Sequence, residues 1–152
     1  MTQFDAVLGA TPNQIHRGRD DMQVTEEQLL DVTATPGEIT EAGLRNDIPV
    51  AFQYISFWLG GRGAAAINNM MEDAATAEIC RAQLWQWIRH GKVTRARVRE
   101  ILDEEMQAIR DRVGADLWHA GNPDRTRAIF ERVALADDLP EFLTLPAYEY
   151  ID

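Results

Sequence analysis

The sequence is poor in cysteine, in basic residues and in long apolar runs. Cys80 is its single cysteine, so no disulfide can form within the chain. Lys and Arg number 15 against 25 Asp and Glu, and the net charge of −10 argues against nucleic acid and against anionic membrane surfaces as partners. No run reaches the length of a membrane span, and the polar residues 1–3 do not begin a signal peptide. These absences predict a cytoplasmic protein.

The composition is that of an ordinary globular domain. Of the 152 residues, 45% are apolar and 26% are charged, which is enough to build one hydrophobic core. Apolar residues recur at helical spacing, and no segment shows the alternation of a half-buried strand. The sequence therefore predicts an all-α fold, a helical bundle of about five helices.

The stretch from Asn68 to Gly91 is predicted to form the central helix. Asn68 or Asn69 suits the capping position of its first turn. Arg89 and His90 suit the negative end of the helix dipole, and Gly91 suits a left-handed stop.

Two further helices are predicted before it. Thr40 can cap a short turn that ends at Arg45. A fresh helix over residues 48–59 is then expected, with Asp47 as its cap, because Pro49 is tolerated only in a first turn.

Cap and stop residues also mark the flanking segments. Thr25 begins a short helix with Gln28 in the capping-box position. Thr94 begins a long helix that Gly114 ends, and Pro123 suits the first turn of a last helix. Residues 60–63 are rich in glycine, but they are predicted to join two helices rather than to bind phosphate, because no strand precedes them.

Two adjacent carboxylates, Glu72 and Asp73, lie near the start of the predicted central helix. Acidic residues are common at helix starts for stability alone, and the preceding Met70 and Met71 are just as typical of a core. The small residues 74–77 that follow let other groups approach the backbone closely.

A longer motif around these carboxylates resembles the C-terminal helical domain of the malate synthases. It is Met-Glu-Asp-Ala-Ala-Thr-Ala-Glu-Ile over residues 71–79, continued by Gln-Leu-Trp-Gln-Trp-Ile over residues 83–88. Further similar segments are residues 12–15, 40–45, 53–55, 58–59 and 141–150, together with Arg81 and His90-Gly91. By this resemblance residues 1–24 correspond to a connector and residues 25–152 to the helical domain.

The resemblance implies a catalytic role for Asp73. In that family the aspartate of the Met-Glu-Asp motif is the general base that takes a proton from the methyl group of acetyl-CoA, which then condenses with glyoxylate to give malate. Glu72 would support it. The candidate substrate-pocket residues are Met70, Met71, Arg45 and Arg81.

An ordinary aspartate, with a pKa near 3.9, is a weak base, and the methyl group of an acetyl thioester is a far weaker acid than a carboxyl group. The enolate that forms therefore needs stabilisation by another group. The resemblance implies that an arginine and a Mg²⁺–glyoxylate complex on a preceding TIM barrel supply it. No segment of the 152 residues resembles that barrel, and no cluster of acids predicts a metal site. We therefore expect no cofactor on this chain alone, and Mg²⁺ only where a barrel partner supplies the ligands.

Three functions from different classes remain open at this point. The chain could be the base-bearing lid of a TIM-barrel partner. It could instead be a free-standing enzyme that uses Asp73 as general acid or base for proton abstraction or cyclisation of another small molecule. Arg45, Arg81, Arg89 or His90, or the backbone N–H groups at the helix start, would then stabilise the oxyanion. Finally, it could be a non-catalytic interaction protein or a homo-oligomer, joined through an apolar patch around the methionines.

Overall fold

A computed structural model describes residues 2–151 of the chain. It divides into two compact units, residues 2–37 and residues 38–151. The first unit holds helix α1 (Thr2–Leu8) and helix α2 (Glu26–Leu30). The predicted capping box of α2 is confirmed: Thr25 Oγ1 accepts from the Gln28 N–H at 3.2 Å, and Gln28 Oε1 accepts from the Thr25 N–H at 3.0 Å.

The second unit is a helical domain with one small β-hairpin. The described residues of the whole chain form seven α-helices rather than about five, and the expectation that no strand occurs is wrong. The mainly helical fold is confirmed. In chain order the elements of this unit are α3 (Glu41–Leu59), β1 (Ala64–Ile67), β2 (Met70–Asp73), α4 (Ala74–Arg89), α5 (Arg95–Val113), α6 (Ala115–Ala120) and α7 (Pro123–Ala134), followed by a 3₁₀ turn (Tyr148–Tyr150).

Helix α3 is one continuous helix, so the predicted break at Asp47 is wrong. Thr40 caps it, accepting from the Gly43 N–H at 3.1 Å, and Asp47 and Pro49 lie inside it. Pro49 removes one backbone donor, at a cost of about 3 kcal/mol in a helix interior. The apolar side chains around it are almost fully buried, and their packing outweighs that cost. They are Ile48, Val50, Ala51, Phe52, Tyr54 and Ile55.

The hairpin replaces the predicted first turn of the central helix. Asn68 and Asn69 have φ of +52° and +62° and form the two-residue turn between antiparallel strands β1 and β2. Two central residues with positive φ suit the right-handed twist of a hairpin, and asparagine tolerates that conformation. The cap of α4 is therefore Asp73 rather than Asn68 or Asn69, and residues 60–63 join a helix to a strand.

Other predicted helix ends are confirmed. Gly91 adopts φ of +65° just after α4, and Gly114 adopts φ of +83° after α5. Thr94 Oγ1 accepts from the Arg97 N–H at 3.1 Å, and Pro123 lies in the first turn of α7.

The core of this unit lies between α3, α4, α5 and α7. Its fully buried members include Leu84 of α4, Ile101 of α5 and Phe130 of α7. None of the helices among residues 2–151 combines the length and the apolar character that a membrane crossing requires.

The segment after α7 is held against α4 by side chains that bond to its backbone. Arg81 donates to the Pro140 carbonyl at 2.8 Å, and the Trp85 indole N–H donates to the Ala136 carbonyl at 3.0 Å. The Leu143 N–H donates to the Glu78 carboxylate, and Leu143 is 1% exposed. This C-terminal segment is thus part of the folded unit.

Candidate functional site

Asp73 stands where strand β2 ends and helix α4 begins. Its Oδ1 accepts from the Thr76 N–H at 3.1 Å and from the Thr76 hydroxyl at 3.4 Å. Among the described residues its Oδ2 has no hydrogen-bond donor, and the side chain is exposed. One carboxylate oxygen is therefore fixed by the helix start while the other stays free to accept a proton.

The register of the hairpin decides which side chains surround Asp73. Ala64 is paired with Asp73 and Ala66 with Met71, and residues paired across antiparallel strands share a face. Ala64, Ala66, Met71 and Asp73 therefore form the outer face, where the small alanines leave the carboxylate uncovered. The opposite face carries Ala65 and Ile67, which are buried at 4% and 2% exposure.

The hairpin is fastened to the helices near both of its ends. The Tyr54 hydroxyl donates to the Gly63 carbonyl at 3.1 Å, just before β1. Arg112 of α5 reaches the turn, donating to Asn68 Oδ1 at 3.5 Å, and it also donates to Gln53 of α3 at 2.9 Å. Burial raises the pKa of the Tyr54 phenol, and the negative charge of Asp73 raises it further. The hairpin that carries Asp73 is thus anchored to α3 and α5, and the charge of Asp73 acts on the buried Tyr54 phenol.

Glu72 points to the inner side of the hairpin and is half-buried. There it influences Cys80, whose thiol pKa is raised to about 12, first by burial and then by the charges of Asp47 and Glu72. Asp47 itself is 7% exposed, and its Oδ2 has no hydrogen-bond partner. Burial raises the pKa of Asp47, although the Asn46 amide and the Cys80 thiol partly oppose this.

Apolar side chains are exposed on the strand and the helix that meet at Asp73. Met71, on the same face of β2 as Asp73, is 75% exposed, and Ile79 of α4 is 58% exposed. Ala75, one helical turn before Ile79, is also exposed. Met70 is 63% exposed, but its pairing with Ile67 puts it on the opposite face of the hairpin from Asp73. We call Met71, Ala75 and Ile79 the docking face, since exposed apolar surface is typical of an interaction site.

The two predicted pocket arginines lie elsewhere and are already paired. Arg45 bonds to Glu41 at 3.0 Å, to Glu104 at 2.7 Å and to Glu105 at 3.2 Å. Arg81 is 1% exposed, and its guanidinium bonds to Glu78 and to carbonyls of the C-terminal segment. The structure thus places Met71 on the same face of β2 as Asp73, whereas Met70 lies on the opposite face and both arginines are bound to other carboxylates.

Arg89 and His90 are also far from the carboxylate. They lie at the last residue and the C-cap of α4, whose 16 residues separate them from Asp73 by about 24 Å along the axis.

Two features escaped the sequence reasoning. Tyr54 enters the sequence analysis only as part of the similar segment 53–55, because its hydroxyl contact spans nine residues and leaves no local signal. A cleft of about 330 Å³, lined by residues of α3, α5 and α6, was also not foreseen. Asp73 does not line it. A cleft formed by residues from 52 to 123 leaves no local sequence signal.

The residues present do not fit a Mg²⁺ site. Hard divalent cations need several oxygen ligands that converge, whereas Glu72 and Asp73 lie on opposite faces of a strand. Within residues 2–151 no three His, Cys, Asp or Glu side chains come together as a metal site requires.

Comparisons with known proteins agree with this architecture. Residues 38–151 match the family model described as "Malate synthase, C-terminal". The chain is 44% identical over 156 residues to the malate synthase of Streptomyces clavuligerus, covering 98% of this chain and 29% of that protein. It is 41% identical over 159 residues to malate synthase A of Escherichia coli, covering 99% and 30%. Malate synthase of Oryza sativa is 39% identical over 163 residues, covering 97% and 28%.

The 152 residues thus span less than a third of the length of these relatives. The matched residues include the Asp73 hairpin, helix α4 and the segment that Arg81 holds against it. The chain belongs to the malate synthase family, in which it corresponds to the C-terminal domain.

Proposed function

We propose that this chain is the base-bearing helical domain of a malate-forming enzyme, in which Asp73 takes a proton from the methyl group of acetyl-CoA. The observation that supports this most directly is the state of its carboxylate. Oδ1 is fixed by Thr76, Oδ2 is free, and the side chain is exposed on the outer face of an anchored hairpin.

In this proposal the proton moves from the methyl carbon to Oδ2 of Asp73, and the C–H electron pair becomes that of the enolate. The enolate carbon then forms a bond to the aldehyde carbon of glyoxylate, whose carbonyl electron pair moves to its oxygen and takes up a proton. Water hydrolyses the resulting malyl thioester, which gives malate and releases CoA. The Thr76 N–H and hydroxyl already hold Oδ1 in place, so the carboxylate does not have to change its orientation during the reaction. The enolate oxygen would be stabilised by a group on the other part of the enzyme, which by the resemblance is a TIM barrel.

The docking face gives the chain a means of excluding water from this step. A carboxylate in bulk water is a poor base for a carbon acid, and closing the site over it removes that water. Met71 shares the outer face of β2 with Asp73, and Ile79 is exposed on the helix that Asp73 caps, so a barrel seated on these side chains would cover Asp73 as well. Any Mg²⁺ would have to be held by ligands on that barrel, because residues 2–151 do not bring together a converging set.

The test replaces Asp73 by asparagine and by alanine. The full chain is mixed with the part of the Streptomyces clavuligerus malate synthase that precedes its matching segment, and malate is measured. Asparagine caps helices about as well as aspartate, so Asp73→Asn should fold with unchanged stability while malate formation falls by about 10²- to 10⁴-fold. Asp73→Ala should lose the same activity and, in addition, about 1 kcal/mol of stability through the lost cap.

Exchange of the acetyl-CoA methyl protons with deuterated water, followed by NMR, reports the proposed step on its own. Asp73→Asn should abolish that exchange. Malate formation at the unmodified rate by the asparagine variant would show that the base is another group. An unmodified chain that binds the complementary part without restoring malate formation would instead support a non-catalytic interaction role.

A further inference from the structure

We infer that the cleft between α3, α5 and α6 is a binding site for a small carboxylic acid with an apolar body, distinct from the Asp73 site. The cleft measures about 330 Å³, which is at the lower end of the range of small-molecule pockets. This inference does not depend on the proposed malate-forming activity.

The walls of the cleft are mainly apolar and aromatic. Phe52 and Trp118 form a stacked pair, with ring centroids 6.2 Å apart, at one side of it. Aromatic and aliphatic walls of this kind bind an apolar group by removing it from water. The other apolar lining side chains are Phe57, Ile109, Val113, Leu117, Ala120 and Pro123.

Two polar side chains that line the cleft are bonded within its walls. The Ser56 hydroxyl donates to the Gly121 carbonyl at 3.0 Å. The Gln53 amide donates to the Pro49 carbonyl at 3.0 Å and accepts from Arg112 at 2.9 Å. These bonds hold the walls in place, and neither side chain carries a charge that would favour an anionic ligand.

Arg62 is the charged group that lines the cleft. Its guanidinium lies 5.8 Å from the centroid of the Phe57 ring. None of the ion pairs formed by residues 2–151 includes Arg62. No Asp or Glu lines the cleft, although the chain as a whole carries a net charge of −10. A guanidinium without a partner beside an apolar cleft complements a carboxylate that carries an alkyl or aryl group.

The ligand class is tested by titration with a matched pair of compounds. The full chain is titrated with 4-phenylbutanoate and with its neutral amide, 4-phenylbutanamide, by calorimetry and by NMR of the backbone amides. The acid should bind at millimolar or lower concentration and about tenfold more tightly than the amide, because only the acid makes a charge-assisted bond to Arg62. Shifted amide signals should map to residues of α3, α5 and α6.

Three variants separate the contributions. Arg62→Gln should bind acid and amide equally, and Leu117→Trp, at a position that is 69% exposed, should fill the cleft and weaken both. Arg89→Gln is the matched control, since Arg89 also lies over an aromatic ring, 5.1 Å from the Trp85 centroid, but does not line the cleft. It should leave both affinities unchanged.

The proposal would be overturned by any of three results. These are equal affinity of the unmodified chain for acid and amide, unchanged binding of the acid to Arg62→Gln, or no binding of the acid at millimolar concentrations by the folded chain. Since every readout is binding, these results are independent of whether Asp73 is the general base.

Discussion

Two aspartates of this chain show how strongly surroundings decide the role of a carboxyl group. Asp73 is exposed, and its Oδ1 accepts from the Thr76 N–H in the first turn of α4. Asp47 lies inside helix α3 at 7% exposure with an orphan Oδ2, and burial raises its pKa. The proposed base is thus open to a reactant, whereas the buried carboxyl of Asp47 lowers the stability of the fold.

The replacement Asp47→Asn should therefore stabilise the protein at neutral pH. A raised pKa means that the folded state holds its proton more tightly than the unfolded state does. The proton bound by Asp47 therefore stabilises the folded state fully at a pH below the ordinary aspartate pKa. This stabilisation is lost as the pH rises through the pKa that Asp47 has in the folded state. We expect the asparagine variant to be about 1 kcal/mol more stable at pH 7, with the difference vanishing towards pH 4.

Urea unfolding of both proteins from pH 4 to pH 8 measures this difference. Asp138→Asn, at an exposed position, is the control and should follow the unmodified protein at every pH. Parallel stability curves for Asp47→Asn and the unmodified protein would show that Asp47 stays charged without penalty.

Both aspartates were read from the sequence as helix signals, and the difference between them lies in contacts that the sequence does not display. The family motif around Asp73 was visible because it is contiguous. The burial of Asp47 depends on α3 continuing through Pro49, where the packing of distant helices overrides a local rule. Sequence reasoning therefore found the candidate base but not the buried acid next to Cys80.

Among the elements, the hairpin is the one that the sequence reasoning missed. Each strand has four residues, too few to show a period of two, and an Asn-Asn pair is as suitable for a helix cap as for a turn. The positive φ of both residues resolves this choice. Confirmed helix limits such as Thr94 and Gly114 were predictable because a cap and a stop act within one turn of the chain.

A substitution at Asn69 tests the turn geometry. Asn69→Gly should stabilise the domain by about 0.5–1 kcal/mol, because glycine adopts positive φ without steric cost and Asn-Gly is the favoured hairpin turn. Asn69→Val should destabilise it by about 1–3 kcal/mol. Chemical unfolding of the unmodified protein and of the two Asn69 variants gives the order of their free energies of unfolding. Equal stability of all three would contradict the turn as described.

The C-terminal segment, residues 135–147, is attached to helix α4 by Arg81. This buried guanidinium bonds to Glu78 at 2.6 Å and to the carbonyls of Val133, Pro140 and Glu141 at 2.8–3.4 Å. A lysine carries the same charge, but its single ammonium cannot reach acceptors spread over a planar fork. Arg81→Lys should therefore cost about 3 kcal/mol and release residues 135–147.

Proteolysis and urea unfolding check this prediction. New cleavage should appear in residues 135–147 of the Arg81→Lys variant, ahead of cleavage in the helices. Arg89→Lys is the matched control, because Arg89 is exposed on the same helix. A lysine variant as stable and as resistant as the unmodified protein would show that the carbonyl contacts contribute little.

At the scale of the whole molecule, ion pairs cover one part of the helical domain and leave the docking face uncovered. Arginine and glutamate side chains pair across α3 and α5, with Arg45 and Arg97 both bonded to Glu41. The docking face instead exposes methionine and isoleucine. These exposed side chains support the proposal that a second body covers the hairpin, because an apolar face loses its contact with water only when a partner is present.

Ile79→Glu tests that proposal without touching the carboxylate. Ile79 is 58% exposed, so a charge there should leave the free chain folded and as stable as before. In a docked complex the same charge would be buried without a partner, which should weaken association with the complementary malate synthase part by at least about tenfold. Sedimentation gives the affinity. Leu117→Glu, at a site that is 69% exposed on α6 and outside the docking face, should associate normally. If both glutamate variants associate equally well, the surface around Asp73 is not where the partner binds.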